Sequence, residues 1–162
     1  MKKIIIIGCP GSGKSTFAIK LHKATCIPLF HLDMLFWNKD KTTVERSFFL
    51  ERLSEILSKS EWIIDGNYSS TMELRIQECD TVVFLDYPLE ICLSGIKERK
   101  GKPRNDLPWI EPAEDDEEFI EYIKSFNKQS RPQIISLLEK YSDKSIYIFK
   151  TRDDADAFLT QF

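Results

Sequence analysis

The sequence predicts an α/β fold, a five-stranded parallel sheet with helices on both faces. Three observations predict it. Short apolar runs alternate along the chain with segments whose apolar residues recur every three or four positions. The runs are apolar throughout rather than alternating, as strands buried on both faces must be, and parallel neighbours need helical crossovers. Finally, the runs open into glycine turns or close on carboxylates, and ligands of such sheets gather at the carboxyl ends of the strands. With 162 residues, 42% of them apolar, and a formal charge of −3, one compact domain over residues 1–162 is expected, burying about two thirds of its unfolded surface.

The first strand is Ile4 to Ile7, behind Lys2 and Lys3. Four isoleucines are too few for a membrane span or a signal-peptide core, so a cytoplasmic location is expected. Phe17, Ala18, Leu21 and Ala24 give the first helix its buried face. Ile27 to Leu32 reads as a strand ending at Asp33. Thr42 and Glu45 have capping-box spacing before the stripe Phe49, Leu53, Ile56 and Leu57. Trp62 to Ile64 is a strand closing on Asp65-Gly66, and Thr71 to Glu78 a short helix. Thr81 to Leu85 closes on Asp86, with Leu89 to Lys100 a helix behind Pro88. Gly101, Pro103, Pro108 and Pro112 mark a loop, and a candidate lid spans 99–113. Helical patterning from 114 to 141 is expected to break near Pro132, and the acidic run Glu114 to Glu118 suits a helix start. Ser145 to Phe149 completes the sheet before a last helix from Asp153 to Leu159. The four cysteines, Cys9, Cys26, Cys79 and Cys92, have neither zinc-site nor disulfide-framework spacing.

Gly8-Cys9-Pro10-Gly11-Ser12-Gly13-Lys14-Ser15-Thr16 carries the chemistry. The pattern G-x-x-x-x-G-K-[ST], between a strand and a helix, is a phosphate-binding loop: backbone N–H groups and the helix N-terminus face the phosphates of a nucleoside triphosphate. Lys14 is expected at the β and γ phosphates and Ser15 on Mg²⁺. Cys9 fills a variable loop position or offers an oxidation-sensitive thiol. Asp65, ending a buried strand, is the second candidate for Mg²⁺, against a plain Asp-Gly turn. Asp33 either takes the proton of an acceptor hydroxyl or caps a helix, and His31 faces solvent or a backbone carbonyl. Asp86 ends a strand at the same edge or merely turns the chain. Lys97, Arg99, Lys100, Lys102 and Arg104 form either a solvated basic face or a lid whose Arg99 and Arg104 stabilise transferred phosphoryl charge. Arg75 and Arg131 are phosphate contacts or surface residues.

With these residues assembled, the chain resembles the adenylate kinase-like P-loop kinases, and most closely the bacterial DNA topology modulation proteins. The phosphate loop is the common element. His31-Leu32-Asp33-Met34-Leu35-Phe36-Trp37, Trp62 to Tyr68 and Phe84-Leu85-Asp86-Tyr87-Pro88 look like that subgroup's strand ends. The resemblance implies strand order 2-3-1-4-5, a three-layer architecture, and ATP and Mg²⁺ as cofactors. Asp65-Gly66 falls where adenylate kinases carry Asp-Gly-Phe-Pro-Arg, whose acid serves Mg²⁺ and whose arginine serves an acceptor phosphate. Here Asn67-Tyr68-Ser69 replaces Phe-Pro-Arg, which leaves Arg75 for that role. Asp33 is similar in placement to the acid that holds a hydroxyl acceptor in shikimate kinase-like enzymes, and Arg99 and Arg104 to lid arginines.

The implied activity is transfer of the γ-phosphoryl of ATP to a small hydroxyl or phosphate acceptor. The alternative is a nucleotide-dependent DNA topology regulator or an ATP-binding module. A net charge of −3 with one basic segment offers DNA little, and no guanine motif of the form N-K-x-D is present.

Overall fold

Five strands form one sheet in the order β2-β3-β1-β4-β5: β1 Lys3–Gly8, β2 Leu29–His31, β3 Trp62–Asp65, β4 Thr81–Leu85 and β5 Ser145–Phe149. All four pairings are parallel. This computed structural model describes residues 1–114 and 116–162; within the acidic run, Asp115 lies outside them. Ile4 to Ile7 at the centre are fully buried, as are Ile63, Ile64, Val82 and Val83. That is the consequence of helices on both faces. The edge strand β5 departs from this: Tyr147 and Ile148 stay exposed, although the Tyr147 ring meets Phe158 of the last helix at 4.6 Å.

Seven helices are found among the described residues: α1 Lys14–Thr25, α2 Leu32–Phe36, α3 Arg46–Leu57, α4 Ser69–Glu78, α5 Leu89–Arg99, α6 Glu117–Lys140 and α7 Arg152–Leu159. None is long and apolar enough to cross a membrane. Three sequence expectations are corrected. The second strand stops at His31, and Leu32 turns inward as the first residue of α2, so Asp33 lies in a helical first turn instead of at a strand end. The Thr42/Glu45 capping box does not form: the Thr42 hydroxyl donates to Asp40 Oδ1 at 2.6 Å, and Glu45 makes no side-chain cap. Third, α6 runs unbroken through Pro132. A helical proline removes one backbone hydrogen bond and costs about 3 kcal/mol. Ile123 and Phe126 before it and Ile134 and Leu138 after it are all buried, and their burial outweighs that cost.

Candidate active site

The phosphate loop arches between β1 and α1. Gly11 and Gly13 have φ of 82° and 89°, a left-handed conformation that side-chain-bearing residues resist. Gly11 also has no room for a Cβ, which would lie 2.0 Å from the Cys92 carbonyl oxygen on α5. Gly11 through Thr16 line a cavity of about 620 Å³ at the carboxyl edge of the sheet. Gly8 and Cys9 instead present their carbonyls to Lys14, whose Nζ donates to them at 2.8 and 3.1 Å. Burial holds the Lys14 ammonium below its usual pKa. The Asn67 side chain clasps Gly8 on both sides, accepting from its N–H at 3.1 Å and donating to its C=O at 2.7 Å. Asn67 is thus a positioning residue that sequence reasoning missed. Cys9 fills space: it is buried, and its hydrogen bond to Cys92, then burial, push its thiol up and away from the reactive thiolate.

Opposite the loop, His31 and Asp65 are register partners on β2 and β3. The His31 Nδ1 to Asp65 Oδ1 separation is 2.7 Å, so His31 faces neither solvent nor a carbonyl. Burial opposes charge on this imidazole, but the hydrogen bond and charge of Asp65 outweigh it and raise the pKa. Asp33 lines the same cavity. The Tyr68 hydroxyl donates to Asp33 Oδ1 at 2.5 Å, and Tyr68 is itself set by an unusual φ of 38°. Burial pushes the Asp33 carboxyl up, with Asp65 and Asp106 adding to the effect and Lys14 and Tyr68 opposing it.

The loop between α5 and α6 brings residues 102–106 to the same cavity. Arg99 Nη2 donates to Glu111 Oε1 at 2.7 Å, and Arg104 Nη1 to Glu111 Oε2 at 3.0 Å. Arg104 also grips Asp106, through Nε to Oδ1 at 2.9 Å and through Nη2 to Oδ2. Both arginines line the cavity. Asp106 was not anticipated: it is 5% exposed and lines the same cavity as Ser15 and His31. Burial works against its charge, but Arg104, Ser15 and His31 hold its carboxyl down, to about 2.

Three candidates lie elsewhere. Arg75 is fully buried and donates to the carbonyls of Gly66 at 2.9 Å, Asn67, Tyr68 at 3.2 Å and Thr71 at 3.3 Å. It stitches the turn after β3 and is neither a phosphate contact nor a surface residue. Asp86 and Arg131 pair with each other at 2.8 Å from both Nε and Nη2, with Lys150 also on Asp86. This tie between β4, β5 and α6 does not line the cavity.

Two buried polar atoms of the cavity wall, Ser12 Oγ and Arg99 Nε, have no hydrogen-bond partner among the described residues. A nucleotide's phosphate oxygens fit that deficit, since buried polar groups need partners. For Mg²⁺, the hard oxygen donors Ser15, Asp33 and Asp65 line the same cavity. No three His, Cys, Asp or Glu side chains among the described residues close into a metal cage, and none is needed, because Mg²⁺ keeps waters and takes phosphate oxygens.

This is the architecture of the P-loop kinases. Solved structures similar to the chain are shikimate kinases: one from Bacteroides thetaiotaomicron (19% identity, TM-score 0.56, covering 98% of this chain and 94% of that one), one from Acinetobacter baumannii in complex with shikimate (19%, 0.64, 99% and 92%), and one from Aquifex aeolicus (20%, 0.57, 98% and 91%). At such identities the likeness is one of fold. The chain matches no protein-family model and no curated protein.

Proposed function

We propose that this protein is an ATP- and Mg²⁺-dependent phosphotransferase that moves the γ-phosphoryl group onto a hydroxyl of a small acceptor. The observation that carries the reading is Asp33, a half-buried carboxylate of raised proton affinity on the same cavity as Lys14 and the arginines of the loop between α5 and α6. Its bond from Tyr68 marks where an acceptor hydroxyl is received. As the acceptor oxygen bonds to phosphorus and the bond to the β-phosphate oxygen breaks, the hydroxyl proton passes to Asp33. Lys14, Arg99 and Arg104 offset the charge on the transferring group. Ser15 and Asp65 are the residues to hold Mg²⁺, which neutralises β and γ oxygens when bound. The arginines reach the phosphates by exchanging Glu111 and Asp106 for them, which makes residues 99–113 a lid.

A hydroxyl acceptor is favoured over a phosphate because Arg75, the arginine left for a phosphate acceptor, spends its donors on backbone carbonyls. The test is a screen of nucleosides, polyols and nucleoside monophosphates for acceptor-dependent ADP release. Hydroxyl compounds without phosphate are expected to be accepted. Turnover restricted to nucleoside monophosphates would overturn the acceptor class, and a DNA-stimulated ATPase that phosphorylates no small molecule would overturn the kinase.

A further inference from the structure

Two neighbouring residues of one turn serve the two halves of the site. After β3 ends at Asp65, Asn67 clasps Gly8 of the phosphate loop through both its amide oxygen and its amide nitrogen. The next residue, Tyr68, gives its hydroxyl to Asp33 Oδ1 at 2.5 Å. The nucleotide cradle and the acceptor carboxylate therefore depend on the same few peptide units. Tyr68 does not adopt its backbone conformation unaided: its φ is 38°, and a bulky residue at positive φ persists only where its surroundings fix it.

Arg75 supplies the fixing. Its side chain is fully buried, and it donates from Nη1 to the Gly66 carbonyl at 2.9 Å and from Nη2 to the carbonyls of Asn67 and Tyr68, the latter at 3.2 Å. Nε returns to Thr71 of its own helix at 3.3 Å. One planar group thus holds three successive carbonyls of the turn. All four acceptors are neutral, so taking this cation out of water is costly, and a turn that only reversed the chain could be closed by glycine or asparagine without it. What the guanidinium adds is a rigid fork of donors that sets several oxygens at once.

We infer that Arg75 is a positioning residue for both halves of the site: by holding the carbonyls of residues 66–68 it keeps the Asn67 amide on the phosphate loop and the Tyr68 hydroxyl on Asp33. With Oδ1 taken by Tyr68, Asp33 turns Oδ2 to the acceptor hydroxyl. This rests on the roles proposed above for Asp33 and the phosphate loop, and the test separates the two.

Two readouts need neither an acceptor nor turnover. One is the titration of the Asp33 carboxyl by ¹³C NMR, its signal identified by its loss in Asp33→Asn; the other is binding of ADP with Mg²⁺ by calorimetry. Arg75→Gln buries no charge and keeps one amide donor group. It is expected to shift the Asp33 midpoint upward, because the bond from Tyr68 favours the carboxylate, and to weaken ADP binding by about threefold to tenfold, as loss of a hydrogen bond does. Tyr68→Phe should give the same upward shift, and Asn67→Ala the same loss of ADP affinity. In Arg75→Gln combined with Tyr68→Phe, the midpoint should lie no higher than in Tyr68→Phe, since Arg75 acts through Tyr68. A contribution to fold stability alone would lower the melting temperature and leave midpoint and affinity at their wild-type values. That result, in Arg75→Gln melting well above the assay temperature, overturns the proposal, and so do midpoint shifts that add in the double variant. If Arg75→Gln does not fold, Arg75→Lys takes its place; an unmoved midpoint in Tyr68→Phe or undiminished ADP binding in Asn67→Ala overturns the proposal without either. Wild-type protein that binds no ADP would overturn the nucleotide-binding reading, while the Asp33 titration would still test Arg75.

Discussion

At the carboxyl edge of the sheet, the ionisable side chains set one another's charge, and pH reports on each. The folded pKa of His31 lies above its ordinary 6.5 because of Asp65. The stabilisation this brings is fully present below 6.5 and is lost as pH rises through the folded value. Wild-type stability from urea unfolding is therefore expected to decline relative to His31→Gln as pH rises above about 6.5, and parallel profiles would show that the pair contributes nothing. Asp33 titrates above its ordinary 3.8, so the acidic limb of kcat/KM should sit above that value. Asp33→Asn should lower kcat by about 10²- to 10⁴-fold and remove the limb, and a retained limb would assign the proton to another group. Lys14, Ser15 and Asp65 could be singled out from the sequence because each stands beside a glycine turn or at a strand's end, and Asp33 because it follows an apolar run, although it lies in the first turn of α2. The partners could not be: that His31 meets Asp65 depends on the register of β2 against β3, and that Asp106 takes Arg104 at the cavity depends on the path of a proline-rich loop. Arg75 misled because an arginine on a short helix gives no sign that four carbonyls await it.

Among the elements, α5 sets the phosphate loop by touching it. A Cβ on Gly95 would lie 2.1 Å from the Gly11 carbonyl oxygen, so helix and loop meet backbone to backbone. Helix propensity alone favours alanine over glycine by about 1 kcal/mol, whereas the overlap demands a backbone shift, typically costing about 1–3 kcal/mol. Overlap is expected to win: Gly95→Ala should lower the melting temperature and weaken nucleotide binding, while the exposed Lys97→Ala on the same helix does neither. A stabilised Gly95→Ala with wild-type binding would show that the contact gives way freely. The same balance explains which elements could be read from sequence. Strands β1, β3 and β4 declare themselves through local composition. The turn into α2 and the continuity of α6 across Pro132 are decided by packing, where Leu32 is fully buried and Ile134 and Leu138 hold the second half of α6 on the core.

Across the whole molecule, the arginines are paired internally: Arg99 and Arg104 of the basic segment with Glu111 and Asp106, and Arg131, beside Lys150, with Asp86. Such paired cations form no stripe for a nucleic-acid backbone. The loop between α5 and α6 is instead joined to the chain just after α2 by aromatic contact. Trp109 meets Trp37, at the end of α2, edge to face at 5.9 Å, and Lys41 Nζ lies 5.3 Å from the Trp109 ring centre. Edge-to-face pairs are worth about 0.5–1.5 kcal/mol beyond their burial, enough to shift a lid equilibrium several-fold. Trp37→Leu and Trp109→Leu each keep an apolar side chain and remove the ring pair. In a double-mutant cycle on the KM of an accepted hydroxyl compound, each change should raise KM several-fold, and the double variant should be little worse than either single one. ADP affinity without acceptor should change less, because the contact joins the loop between α5 and α6 to the end of α2 and leaves Lys14 alone. Added salt should not alter the coupling, whereas it would weaken one built on the exposed Lys41 charge. Additive effects in the cycle would mean that the two indoles act separately and that closure rests on Arg99 and Arg104 alone.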